Sequence, residues 1–242
     1  MGAMSTAVVF EQPGKMALRP VRLPEPHSTD CVVEVRWTGI STGTERLLWD
    51  GRMPPFPGLA YPLVPGYESV GNVIEPGKDT ELAAGQRVFV PGSKGFTDVH
   101  GLFGGAAQSL VVPADRLISL PSEMESTGVL LALAATACHA LRRMEDLGPP
   151  ELIIGHGALG RLLARVTQAQ HHMTPMVWET AAERREGVLQ RQGEVLHHQG
   201  PEVLRLRHGL RRRQHVHHHH GHHLYVCLSH RLSCVHIWSC GL

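Results

Sequence analysis

Gly155-His156-Gly157-Ala158-Leu159-Gly160 lies between a short apolar run, Leu152 to Ile154, and a segment whose apolar residues Leu159, Leu162, Leu163 and Val166 recur at helical spacing. A glycine-rich turn between a strand and a helix commits this part of the chain to a strand-turn-helix unit. The first glycine permits the tight turn, the second lets a phosphate approach the backbone, and the third lets the helix pack closely on the strand. The turn's amides and the helix N-terminus then suit a pyrophosphate. Met176-Val177-Trp178 offers the next strand, ending at Glu179, 24 residues beyond Gly155. A carboxylate near that offset hydrogen-bonds the 2′-hydroxyl of an adenosine ribose and repels a 2′-phosphate, so NAD is expected over NADP. The expected cofactor-binding residues are Gly155, His156, Gly157, Ala158, Leu159, Gly160 and Glu179. His156 occupies a variable position of the turn and is given no catalytic role. The bland alternative is a tight turn that happens to use three glycines.

Before this unit the texture is different. From Thr6 to about Pro121, short β-prone runs (TAVVF, CVVEVRWTGI, SVGNVI, QRVFV, QSLVVP) are separated by Gly and Pro. Val33, Val35 and Trp37 alternate with Glu34, Arg36 and Thr38, the period of a strand with one buried face. Pro-rich Pro54 to Pro65 and Gly-rich Gly101 to Gly105 leave little room for helices, so residues 1–121 read as an all-β barrel or sandwich. A long Ala- and Leu-rich helix then spans Ser122 to Asp146, with Arg142 and Arg143 at its cation-favouring C-terminal end. Two domains, or one and a fragment, fit 242 residues of which 42% are apolar, which excludes global disorder and a disulfide-stapled miniprotein.

These pieces together resemble the medium-chain dehydrogenase/reductase superfamily: a GroES-like β barrel, a linking helix and then a Rossmann fingerprint. The resemblance is carried by WTGISTGTE at Trp37 to Glu45, VPGYESVGNVIEPG at Val64 to Gly77, GGAAQSLVVPADRLISLP at Gly104 to Pro121 and ALAATACHAL at Ala132 to Leu141, and covers about residues 5–183. Within that superfamily the combination looks like enzymes of bacteriochlorophyll synthesis. The implied activity is NAD-dependent oxidation of the 3-(1-hydroxyethyl) side chain of a chlorophyllide-type tetrapyrrole to an acetyl group. A zinc-free quinone or enone reductase of the same superfamily is the alternative within enzymes, though such enzymes commonly prefer NADPH.

The departures bear on mechanism. Where zinc-dependent relatives place a cysteine and a histidine ligand, this chain has Ser41 and Tyr67, and no cysteine occurs between Cys31 and Cys138 to build a structural zinc lobe. No metal is therefore expected, and the hydroxyl proton must leave through protein groups. The candidates, taken by position in the family motifs, are Tyr67, Ser41, Thr44, Glu45 and Glu68. The structural alternatives are a packed Tyr67 ring and an ion pair of Glu68 with Arg46. Trp49, Met53, Phe56 and Tyr61 could wall a cleft for a flat macrocycle, or could simply cap the barrel.

The family texture stops between Glu179 and Gly187. Residues 187–242 hold seven arginines, no lysine and two glutamates, a net of +5 against −4 for the rest, and 12 of the 18 histidines. This tail is expected to be irregular, so the Rossmann domain of residues 122–186 is partial. Such a change is what a shifted reading frame in GC-rich DNA would produce. The alternative from another class is a non-catalytic metal-binding protein using His215, His217 to His220, His222, His223, Cys227, Cys234 and Cys240, although their spacing matches no finger or ribbon. No nucleic-acid partner is expected from Arg211 to Arg213 without a recognition fold. The start of the chain shows no secretory pattern, and the most apolar run, Gly128 to Leu141, is too short to span a bilayer of about 20 residues. A cytoplasmic protein with reduced thiols and no stable membrane insertion is expected, and a homodimer is compatible with it.

Overall fold

A computed structural model describes residues 2–55, 57–184, 224–227 and 235–237. They divide into two compact units at Ala132 and Leu133.

The first unit is all-β apart from short helices. Its strands in chain order are β1 (Met4–Gln12), β2 (Lys15–Arg22), β3 (Asp30–Thr38), β4 (Leu63–Val64), β5 (Ser69–Glu75), β6 (Arg87–Val90), β7 (His100–Gly101), β8 (Ser109–Pro113) and β9 (Ile118–Ser119). They form a four-stranded sheet ordered β2-β1-β4-β7 and a five-stranded sheet ordered β8-β3-β5-β6-β9. The five runs expected from the sequence are β1, β3, β5, β6 and β8. The core gathers the alternate residues of these strands: Val9, Val21, Val33, Val73, Val88, Leu110 and Val112 are fully buried. Each such side chain contributes roughly 1.5–3 kcal/mol on leaving water. Pro20 is tolerated because β2 is an edge strand, with β1 as its one neighbour in the sheet. Trp37, at the alternate position after Val35, lies only partly buried under the Arg87 guanidinium, 5.1 Å from the ring centroid.

A helix, α1 (Thr44–Trp49), occupies the connection after β3, where the sequence suggested little room for one. Six residues are too few to show a helical period. The expected long helix is also shorter than its composition implied. Ser126–Leu130 is a 3-10 turn, α2 runs Leu131–Arg143, and Glu145–Leu147 is again 3-10. Ser126, Thr127 and Gly128 are weaker helix formers than the Ala- and Leu-rich stretch that follows, which accounts for the late start.

In the second unit, β10 (Leu152–Ile154), α3 (Ala158–His171) and β11 (Met176–Trp178) make the expected βαβ unit. The two strands are parallel, pairing Leu152 with Met176 and Ile154 with Trp178. Ile153 and Val177 are buried under Ala137, Ala140 and Leu141 of α2 and Leu163 and Ala164 of α3. The tail, expected to be irregular, supplies two short strands. β12 (Leu224–Cys227) pairs antiparallel with β10, and β13 (Val235–Ile237) antiparallel with β12. A doubly wound sheet continues from that edge of β10 with parallel strands, so this chain departs from the pattern there. Of the tail's candidate metal ligands, Cys227 alone falls in a described strand, and His215, His217 to His220, His222, His223, Cys234 and Cys240 lie outside the described residues. No helix among the described residues is long and apolar enough to cross a membrane.

Candidate active site

The glycine turn has the geometry its sequence demands. Gly155 has φ of +104°, a conformation closed to most side chains, and hands the chain from β10 to Gly157, the N-cap of α3. A Cβ on Gly160 would collide with the carbonyl oxygen of Gly155 and come within 3.0 Å of its carbonyl carbon. Among the described residues, a Cβ on Gly157 would meet no heavy atom within 4 Å. The third glycine is thus needed by the fold, while the second opens onto free space where a ligand could approach. Among the described residues no side chain caps α3, which leaves the N–H groups of its first turn for water or an anion. Ala158 is exposed at the helix start, and Leu159 packs partly buried against the core of this unit.

Glu179 is held against the turn. Its Oε2 accepts the backbone N–H of His156 and its Oε1 that of Ala181, both at 2.8 Å. Burial alone would raise its pKa. The N–H groups of Ala181, His156 and Thr180, together with the charge of Arg184, outweigh burial and hold the carboxyl below its ordinary range. Glu179 is therefore a carboxylate at neutral pH, placed beside the turn as its spacing predicted. These groups fit a dinucleotide: an open glycine turn, uncapped helix amides and a fixed carboxylate acceptor.

The second cluster belongs to the first unit, and strand register creates it. In the β3–β5 ladder Thr38 faces Ser69, and the backbone N–H of Gly39 donates to the Glu68 carbonyl at 2.7 Å. Whatever follows β3 therefore meets whatever precedes β5. The Tyr67 hydroxyl donates to Ser41 Oγ at 2.6 Å and stands 3.2 Å from Thr44 Oγ1. Phe103, which sequence reasoning did not single out, meets the Tyr67 ring edge-on at 5.3 Å between centroids. Ser41 is half-buried and Thr44 buried, so the three hydroxyls run from the surface inward.

Behind them lie Glu45 and Glu68, 7% and 4% exposed, with Glu45 Oε2 and Glu68 Oε1 lacking a hydrogen-bond partner among the described residues. The ion pair of Glu68 with Arg46 that stood as the structural alternative is not formed, because Arg46 lies on an exposed position of α1 and pairs with Asp50 at 3.7 Å. Burial, with the negative charge of Glu68 adding and a backbone hydrogen bond from Ser41 opposing, pushes Glu45 from 4.5 up to about 8. Burial raises Glu68 as well. The Tyr67 phenol is pushed above its ordinary range by burial and by both carboxylates, against the two hydroxyl hydrogen bonds that lower it. Tyr67 is thus a neutral hydroxyl rather than a tyrosinate.

Zinc does not fit this cluster. Zn²⁺ sites draw on thiolate, imidazole and carboxylate; Ser41 and Tyr67 are neutral oxygen donors already bonded to each other, Glu45 and Glu68 are the cluster's two groups of a ligand type, and no three such groups come together among the described residues. Trp49, Met53 and Tyr61 pack partly buried against Phe10, Leu48, Leu63 and Leu102, which matches a cap on the barrel; Phe56 lies outside the described residues.

Residues 27–122 match the alcohol dehydrogenase GroES-like domain family. The chain is 53% identical over 186 residues to the 2-desacetyl-2-hydroxyethyl bacteriochlorophyllide A dehydrogenase of Cereibacter sphaeroides, covering 75% of this chain and 58% of that protein. The protein of the same name from Rhodobacter capsulatus is 49% identical over 183 residues, with the same coverage of 75% and 58%. The chain thus spans under two thirds of the length of these relatives. Among solved structures, a zinc-binding-type dehydrogenase from Sinorhizobium meliloti 1021 bound to NADP superposes with a TM-score of 0.60 at 25% identity, over 76% of this chain and 58% of that one.

Proposed function

From a chain that belongs to the medium-chain dehydrogenase/reductase superfamily, with an alcohol dehydrogenase GroES-like domain at residues 27–122, we propose an NAD-dependent, zinc-independent secondary-alcohol dehydrogenase. Its proposed substrate is the 1-hydroxyethyl side chain of a bacteriochlorophyllide-type tetrapyrrole, which becomes an acetyl group. The observation that carries this reading is the 49–53% identity, over three quarters of the chain, to two dehydrogenases of that name. A cytoplasmic location and a homodimeric assembly go with the same reading.

The chemistry divides between the two clusters. Bound NAD would supply the acceptor for the hydride. Gly155, Gly157 and the first turn of α3 would hold its pyrophosphate, and Glu179 would accept the ribose 2′-hydroxyl, disfavouring a 2′-phosphate. The proton is the task of the hydroxyl chain. Half-buried Ser41 would take the proton from the alcohol, its own proton passing to Tyr67 and that of Tyr67 to buried Thr44, each O–H rotating as it hands on, with the buried Glu45–Glu68 pair as the final acceptor. The raised pKa of Tyr67 makes it a conduit that stays neutral, and burial, which raises both Glu45 and Glu68, favours the protonated form of the pair behind it.

Tyr67→Phe keeps the ring against Phe103 and breaks the chain at its centre. Turnover is expected to fall roughly 10²-fold or more, with NADH binding unchanged, because the glycine turn belongs to the other unit. Steady-state rates with the hydroxyethyl pigment and equilibrium NADH binding measure both. Unchanged turnover would remove the hydroxyl chain from the mechanism.

A further inference from the structure

His156 stands at a variable position of the glycine motif, yet the residue is 3% exposed and its ring is engaged. His156 Nδ1 lies 2.6 Å from the carbonyl oxygen of Arg184. A carbonyl only accepts, so Nδ1 carries the proton. The Arg161 guanidinium donates to that same Arg184 carbonyl and to the carbonyl of His156, both at 3.1 Å. The His156 backbone N–H meanwhile donates to Glu179 Oε2, and Glu179 Oε1 accepts from Ala181. The Arg184 N–H bonds the Ala181 carbonyl at 3.1 Å, so the segment after β11 turns back on itself. A closed ring results: turn, carboxylate, returning segment, imidazole, turn. None of these bonds serves the strands or the helix. All of them fix where the Glu179 carboxylate sits relative to the glycine turn.

We infer that His156, seconded by Arg161, is a positioning residue for the adenosine half of the nucleotide site, clamping the segment after β11 so that Glu179 selects a ribose 2′-hydroxyl over a 2′-phosphate. The inference rests on the nucleotide-binding reading above and assigns that reading's selectivity to a side chain. A clamped carboxylate attracts the hydroxyl and repels the phosphate from one fixed point. A loosened one does both less well, so preference falls more than a general weakening would make it fall.

The test is equilibrium binding of NADH and of NADPH to the full chain, native and variant. His156→Leu, which keeps the bulk and removes the donor, is expected to weaken NADH about 3- to 10-fold, the worth of one hydrogen bond, while NADPH changes less, so that the ratio of the two affinities drops. His156→Asn is expected to restore the ratio, since its amide nitrogen stands close to the place of Nδ1. Equal loss for both nucleotides, no rescue by Asn, or no loss at all overturns the inference and leaves the nucleotide site standing. A native chain that binds neither nucleotide overturns the reading and the inference together. If His156→Leu shows no folded circular dichroism signal, Arg161→Gln, which removes the other donor to the same carbonyl, is expected to lower the same ratio, and an unchanged ratio there overturns the clamp.

Discussion

Gly157→Val is expected to leave the second unit folded and to weaken NADH binding about 10- to 100-fold or beyond, whereas Gly160→Val is expected to destroy the unit itself. The two glycines belong to one motif, and sequence alone treats them alike. The structure separates them. A side chain at Gly157 enters open space, at an ordinary φ of −71°, so its cost to the native fold is little more than a poorer N-cap, about 1 kcal/mol. Its methyls occupy the space a pyrophosphate would need, and overpacking of this kind costs about 1–3 kcal/mol in the bound state, which gives the stated loss of affinity. At Gly160 the obstacle is the Gly155 backbone, which cannot move without breaking the bond from Gly155 N–H to the Trp178 carbonyl that joins the turn to β11. Circular dichroism melting and NADH binding together decide it. A Gly157→Val chain that binds NADH as the native chain does would show that the open space is not the pyrophosphate site.

That contrast also shows what a sequence can convey. The βαβ unit was legible because three independent periodicities met at one place: an apolar run, a glycine spacing and a helical repeat. The strands β1, β3, β5, β6 and β8 were legible for a similar reason, each being long enough or apolar enough to show a β-prone run. β4, β7 and β9 have two residues each and no period to detect, and β2 hides behind Pro20, which argues against a strand until its edge position is known. α1 was missed because its six residues carry Thr44 and Glu45 inward without a repeat.

The site shows the same division. Tyr67, Ser41 and Thr44 could be proposed from motif positions, but their hydrogen bonds cross 26 and 23 residues of sequence. Only the register that sets Thr38 against Ser69 brings them together. The clamp on Glu179 was invisible for the same reason. Arg184 lies 28 residues from His156 and contributes a backbone carbonyl, a group every residue has.

Buried Glu45 should make the first unit less stable as pH rises, by several kcal/mol across the range. Unfolded, its carboxyl titrates near 4.5; folded, near 8. Between those values the native chain holds a proton that the unfolded chain has released, so each unit of pH moves the balance toward unfolding by up to about 1.4 kcal/mol. The contribution is whole below 4.5 and is lost as pH rises through 8. Glu68, also raised by burial, adds a slope of the same sign. Glu45→Gln removes one of the two slopes, since a neutral amide of nearly the same shape does not titrate. The variant is expected to unfold at a urea concentration close to that of the native chain at pH 5 and at a clearly higher one at pH 9, followed by the fluorescence of Trp37 and Trp49. The unpartnered Glu45 Oε2 sets the direction of any residual difference at low pH, because an amide N–H there has no acceptor waiting and would cost a fraction of what the avoided charge gains. Parallel pH curves for the two proteins would mean that Glu45 ionises as freely in the fold as out of it, and the carboxylates behind Tyr67 would then be ordinary charges with no bearing on the proton path.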